Sequence, residues 1–222
     1  MSEQKKGSRV TIRIIGAAIV LGLLASVVGV YVKGRPSGNM SAVAEADCSP
    51  SVDLAARIQP LAKGEIAAMA SVREAKSLQT LAFNGPQGQP MSIGDLSGKT
   101  LLVNLWATWC APCREEMPAL AALQEELGGD DFEVVAINID RGDDVKPKKF
   151  LGEIKVSNLA FYRDSSMGVF NTLKKDGLAF GLPVTLLVDE KGCLLSSMNG
   201  PAHWSGQDAK TYVKKALSEN TL

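Results

Sequence analysis

With 222 residues, 45% of them hydrophobic, the chain can bury one sizeable core and carry an accessory segment, and it is too short for two full domains. Lysine plus arginine balances aspartate plus glutamate at 24 each, which excludes the charge signature of a nucleic-acid binder.

The N-terminus obeys different rules from the rest. Residues 1–13 carry Lys5, Lys6, Arg9 and Arg13 and read as a cytoplasmic end. The uncharged run "IIGAAIVLGLLASVVGVYV", residues 14–32, is close to the roughly 20 residues that cross a bilayer as a helix. A cleaved secretory signal would have an apolar core of only about 7 to 15 residues with a small-residue cleavage site directly after it. Here the nearest Ala-x-Ala, Ala42 to Ala44, lies well downstream, so an uncleaved transmembrane anchor is expected. Ala46 and Asp47 before Cys48 are also unlike the lead-in of a lipid-attachment site. Four basic residues precede the span, Lys33 and Arg35 follow it, and the positive excess stays in the cytoplasm. The expectation is a single-pass protein of a bacterial inner membrane whose main domain faces the periplasm, where disulfides persist. Residues 33–47, rich in Gly, Ser, Pro and Ala without periodicity, read as a flexible tether, and the domain spans 48–222.

Within that domain Ser49-Pro50 signals a helix start, and Leu54, Ile58 and Leu61 recur at i, i+4 and i+7, which predicts a short amphipathic helix broken near Pro60 and Gly64. "SLQTLAFNGPQGQPMSIGDLSGK" sets turn dipeptides between short apolar pieces, the mark of a strand or hairpin region. From Thr100 the pattern alternates: a buried strand "LLVNLW", a helix "CAPCREEMPALAALQEEL" and a second buried strand "FEVVAINID". A polar helical stretch from Asp144 to Val156 follows, with Lys146, Lys148 and Lys149 on its solvated side. Next come a short strand at 159–162, a helix at 166–175, and two strands joined by the turn at 189–192. The closing helix has Ser205 and Asp208 as a capping box and Ala209, Tyr212, Val213, Ala216 and Leu217 on one face. This order predicts an α/β fold with a central mixed sheet covered by helices.

The stretch that carries chemistry is "NLWATWCAPCREEMP", residues 104–118. A buried strand ending at Trp106 and turning into a helix at Cys110 puts that sulfur at a helix N-terminus, where free N–H groups and the macrodipole favour a thiolate. Such placement lowers a cysteine pKa from about 8.5 to roughly 3.5–7.5 and makes a nucleophile toward disulfides. Cys113, one turn on, is placed to resolve the mixed disulfide, and Pro112 suits the first turn because its missing N–H costs nothing there. A structural zinc site needs about four ligands and this pair supplies two; the remaining candidates, Cys48, Cys193 and the lone His203, are scattered, so no metal or cofactor is expected. A purely structural bridge across so short a loop would restrict little unfolded-chain entropy. The pair therefore reads as a redox couple, Cys110 attacking and Cys113 resolving.

"DLSGKTLLVNLWATWCAPCREEMPAL", together with "GLPVTLLVDEKG", resembles the membrane-anchored thioredoxin-like proteins of the TlpA group, relatives of the ResA and CcmG types. The resemblance runs from about Leu81 to the C-terminus. It implies a thioredoxin-like fold with an extra N-terminal helix and a central insert over residues 141–162. It also implies that Pro183, after Leu182, is the cis-proline facing the cysteine pair, since an X–Pro bond by itself is cis only about one time in twenty. Leu182 would then offer backbone groups to an extended substrate segment, with Trp106, Trp109 and Pro183 framing the docking surface; Trp106 also has an ordinary core reading. Thioredoxin itself carries a buried aspartate where this chain has Asn104, and an amide cannot take a proton. Glu116, one turn after Cys113, is the candidate proton relay, although a glutamate in that helix ordinarily faces solvent. Cys48 and Cys193 are left over in an oxidising compartment and are expected to pair, a structural disulfide contributing on the order of 4 kcal/mol in the chain-entropy model. His203 reads as an exposed loop residue.

The function the resemblance implies is a tethered periplasmic thiol:disulfide reductase. It would act on cysteine pairs of periplasmic or membrane proteins in cytochrome c or cytochrome oxidase maturation, fed by a membrane thiol donor, as a monomer. An oxidase of the DsbA type is the nearest rival, because the same sulfurs run either way. A Sco-like copper chaperone would need Cys-x-x-x-Cys and a histidine where Leu182-Pro183 stands, and a peroxidase would use a single peroxidatic cysteine.

Overall fold

The computed structural model describes residues 46–220. The expected cytoplasmic end (1–13), the anchor (14–32) and all but the last two residues of the tether (33–47) lie outside the described residues. Among the described residues no helix is long and apolar enough to cross a membrane.

Helix α1 (Ser49–Ile58) starts with Pro50 in its first turn and buries Ser51, Leu54, Ala55 and Ile58 on one face. Pro60 does not end it abruptly, since Gln59–Leu61 continues as a 3-10 turn. Two links join α1 to the sheet. A disulfide joins Cys48 to Cys193, with Cα atoms 5.5 Å apart. The buried Ser51 hydroxyl donates to Asp189 Oδ2 at 2.5 Å, and Asp189 Oδ1 accepts from the backbone N–H groups of Lys191 and Cys193. The carboxylate thus organises the turn that Gly192, at φ +77°, allows.

Eight strands form one mixed sheet: β1 (Ala70–Ser71), β2 (Ala82–Asn84), β3 (Pro90–Ser92), β4 (Thr100–Trp106), β5 (Phe132–Asn138), β6 (Tyr162–Arg163), β7 (Val184–Val188) and β8 (Leu194–Asn199). Their order is β1-β8-β7-β4-β5-β6-β2-β3. β4 runs parallel to β5 and antiparallel to β7, and every residue of β4 is buried, which explains its almost unbroken apolar run. β2 and β3 make the expected hairpin. Helices α2 (Ala111–Leu127), α3 (Val145–Glu153), α4 (Gly168–Lys175) and α5 (Gln207–Asn220) complete the fold, with α1 packed against β8 and α5. The core includes Trp204, Tyr212, Phe132 and Met117, all within 1% of full burial.

Four expectations need correction. The strand expected at 159–162 is only Tyr162–Arg163; Leu159 is buried without joining the ladder, so its apolar signal marked packing instead of pairing. Ser205 does not cap α5, because the helix begins at Gln207 and the Ser205 hydroxyl lies 3.1 Å from His203 Nε2. Trp106 is core, 1% exposed, with its ring 5.8 Å from that of Phe150, and so does not frame a surface. Glu116 does not face solvent: it is 4% exposed.

Candidate active site

β4 ends at Trp106, and the chain turns through Ala107, Thr108 and Trp109 into Cys110, the residue that precedes α2 with extended φ and ψ of −92° and 103°. The turn is held from the neighbouring strand. Asp140, buried just beyond β5, accepts the Thr108 N–H on both carboxylate oxygens at 3.2 and 3.1 Å, and is itself fixed by the Asn138 side chain at 3.1 Å. The Ile139 N–H adds a bond to the Trp106 carbonyl at 2.9 Å. Asp140 escaped the sequence reading; its signal was an acid directly after a buried strand, where an unpaired carboxylate is costly unless it is hydrogen-bonded.

Cys110 and Cys113 form a disulfide with Cα atoms 5.3 Å apart, and the Cys113 N–H donates to Cys110 Sγ at 3.3 Å. Cys113 is sealed at 0% exposure while Cys110 keeps 6%, so only the first sulfur is open to attack from outside. Leu182-Pro183 is a cis peptide bond. Leu105 pairs with Val184, so the next step of that register sets Pro183 at the end of β4, where the cysteine turn begins. Leu182 is half-buried and Pro183 buried, while Trp109 projects at 61% exposure. A second projecting aromatic, Phe180, was not singled out from the sequence. Its exposure is 78%, in a loop fixed by Asn199, which accepts from the Phe180 N–H and donates to the Leu178 carbonyl. Its only sequence signal was an aromatic three residues before Pro183 among glycines. A cavity of about 440 Å³ opens beside Trp109, between Asp140, Arg141, Lys146 and Met167.

Glu116 is buried on the same helix. A separation of three residues puts it on the Cys113 side of α2. Its carboxylate accepts from Asn104 Nδ2 at 2.8 Å, the Ala202 N–H at 3.1 Å and Trp204 Nε1 at 3.1 Å. Burial outweighs these donors and pushes the carboxyl up from 4.5 to about 7. The Asn104 amide also donates to Thr185 Oγ1 at 3.0 Å, so the amide that stands where thioredoxin has an acid serves to hold a carboxylate supplied by the helix.

The chain matches the Redoxin family over residues 73–215. Among curated relatives it is 35% identical over 121 residues to the thioredoxin-like protein YneN of Bacillus subtilis, covering 53% of this chain and 64% of that one. It is 34% identical over 113 residues to the thiol:disulfide interchange protein HelX of Rhodobacter capsulatus, covering 50% and 59%. Over 136 residues it is 24% identical to the thiol-disulfide oxidoreductase ResA of Bacillus subtilis, covering 59% and 69%. The chain thus spans less than two thirds of YneN and HelX. A thiol:disulfide interchange protein DsbE from Chlorobium tepidum shares the fold, at TM-score 0.55 and 24% identity, covering 66% of this chain and 99% of that one. So does a DsbF homologue from Corynebacterium diphtheriae, at TM-score 0.53 and 22% identity, covering 66% and 92%. The family match runs over more than half of the sequence, and the chain therefore belongs to the Redoxin family and has the thioredoxin-like fold.

Proposed function

We propose that this protein is a membrane-tethered periplasmic reductase that passes two electrons from a membrane thiol donor to the disulfides of partner proteins in cytochrome c or cytochrome oxidase maturation. The observation that carries the reading is the asymmetry of the pair: Cys110 at the helix N-terminus with an open edge, Cys113 fully sealed and one helical turn before a buried carboxyl. In the reduced protein Cys110 is the thiolate, favoured by the macrodipole and the free N–H groups of the first turn. It attacks one sulfur of the partner disulfide and expels the other as a thiolate. Glu116 takes the Cys113 proton, and the Cys113 thiolate then attacks Cys110 Sγ, closing the disulfide and releasing the second partner sulfur. Trp109, Phe180, Leu182 and Pro183 border the place where the partner segment would lie.

The test is a glutathione redox equilibrium of the full-length protein with alkylation and mass mapping. A potential near about −270 mV confined to Cys110 and Cys113 is expected of a reductase that needs a membrane electron supply. A value near about −120 mV would make the protein an oxidant of the DsbA kind and end the maturation reading.

A further inference from the structure

Glu116 is buried but not cut off. It lines a cavity of about 460 Å³ together with Glu65, Glu115, Ala119, Ala202 and His203. The Ala202 N–H bond to Glu116 fixes the residue next to His203, the one histidine of the chain. His203 Nδ1 lies 3.1 Å from Glu65 Oε2, and its carbonyl accepts the Gly206 N–H at 2.8 Å. Both partners of that contact are more than half exposed, so the cavity reaches solvent at them. A Cβ on Gly206 would come within 3.2 Å of Glu65 Oε2, so the glycine leaves room for this approach.

Each exchange cycle moves a proton out of the interior. The reduced pair starts as the Cys110 thiolate and the Cys113 thiol; resolution needs the second proton to leave Cys113 before its sulfur can attack Cys110. At that moment the partner is bonded to Cys110 and covers the side of Trp109, Phe180 and Leu182. None of those residues lines the Glu116 cavity. We infer that the Glu65–His203 pair is the proton port of the active site, a positioning pair that carries the proton from Glu116 through the cavity to bulk solvent while the partner is bound. The inference rests on the reading of Glu116 as the base for Cys113. The electrons balance without a further reagent: one disulfide closes on this chain, one opens on the partner, and the proton given up by Cys113 is made good by solvent at the released partner thiolate. Imidazole suits the task because one ring nitrogen can accept a proton while the other gives one up. Glu65 from the turn before β1, Glu115 from α2 and His203 from the loop after β8 are the titratable groups that share the cavity; β4 and the Trp204 loop bring only the neutral Asn104 and Trp204 to the carboxylate.

The experiment is a quench-flow reaction of the reduced full-length protein with a single-disulfide protein substrate, in which acid quench and alkylation separate the mixed disulfide on Cys110 from the closed Cys110–Cys113 bridge and so report attack and resolution separately. His203→Gln is expected to slow only the second step, on the order of threefold to tenfold in dilute buffer, a fraction of what a full general base supplies. Added imidazole should restore it, and Glu65→Gln should show a weaker form of the same defect. Glu116→Gln should slow resolution by about a hundredfold or more, without rescue. A His203→Gln protein that matches wild type at every pH and buffer concentration, while Glu116→Gln is slow, overturns the port alone. A Glu116→Gln protein with normal resolution overturns the base reading and the port with it.

Discussion

The chemistry turns on single side chains, and Glu116 has the clearest consequence for stability. Its carboxyl is raised from 4.5 to about 7 because burial penalises the anion more than Asn104, Ala202 and Trp204 stabilise it. Below pH 4.5 the group is protonated in folded and unfolded chains alike, so it costs nothing there. Between 4.5 and about 7 the unfolded chain releases the proton that the folded chain keeps, so stability falls as pH rises, by a total of about 3 kcal/mol. Urea unfolding of the oxidised protein at pH 4.5 and 7.5 should show that fall, and Glu116→Gln should abolish most of it; parallel slopes in the two proteins would contradict the assignment. At the surface, Trp109→Ala and Phe180→Ala should change stability by less than about 0.5 kcal/mol, since both rings are exposed. If they are docking anchors, each should slow reduction of a protein disulfide by roughly tenfold, the scale of an interface hot spot, and leave the reaction with a small aromatic disulfide unchanged. Equal losses on both substrates would assign the rings to the chemistry.

Elements hold these residues in place. Helix α1 is fastened to the β7–β8 turn by the Cys48–Cys193 disulfide and the Ser51–Asp189 bond, at the far end of β7 from Pro183. Replacing both cysteines by serine should cost about 2 to 5 kcal/mol in urea unfolding and leave the redox potential of Cys110–Cys113 unchanged. A shifted potential would mean that α1 reaches the active site. The insert is fastened by Arg163 of β6, whose guanidinium donates to the carbonyls of Asp140, Gly142 and Asp143 at 3.2, 2.7 and 2.6 Å. These three bonds all come from Nη2 and hold the loop that walls the cavity beside Trp109, so removing the side chain leaves three carbonyls without their donor. Arg163→Ala should therefore raise KM for a protein substrate while kcat for a small disulfide is retained, with matched losses in both refuting the role.

On the scale of the whole molecule, the sheet gathers separated pieces of sequence at one end of its central strands. The turn after β4, the acid after β5 and the proline before β7 are neighbours because β4 lies between a parallel and an antiparallel partner. Asn104 stands where thioredoxin has its strand aspartate and holds a carboxyl that comes from a helix, with Trp204 and the backbone of Ala202 closing around it.

The Cys-x-x-Cys pair, its helix N-terminus, the buried strands β4 and β5, the hairpin and the face of α5 were legible in sequence, because each depends on spacing and periodicity within a few residues. The fastening by Asp140, the projection of Phe180 and the two-residue strand β1 were not, since each depends on a partner distant in the chain. Glu116 shows the division most plainly. Its position one turn after Cys113 could be read from the sequence, and its burial, three donors and raised pKa could not. Those arise when residues 104, 202 and 204 converge on it, and desolvation is a property of surroundings that only the folded chain creates.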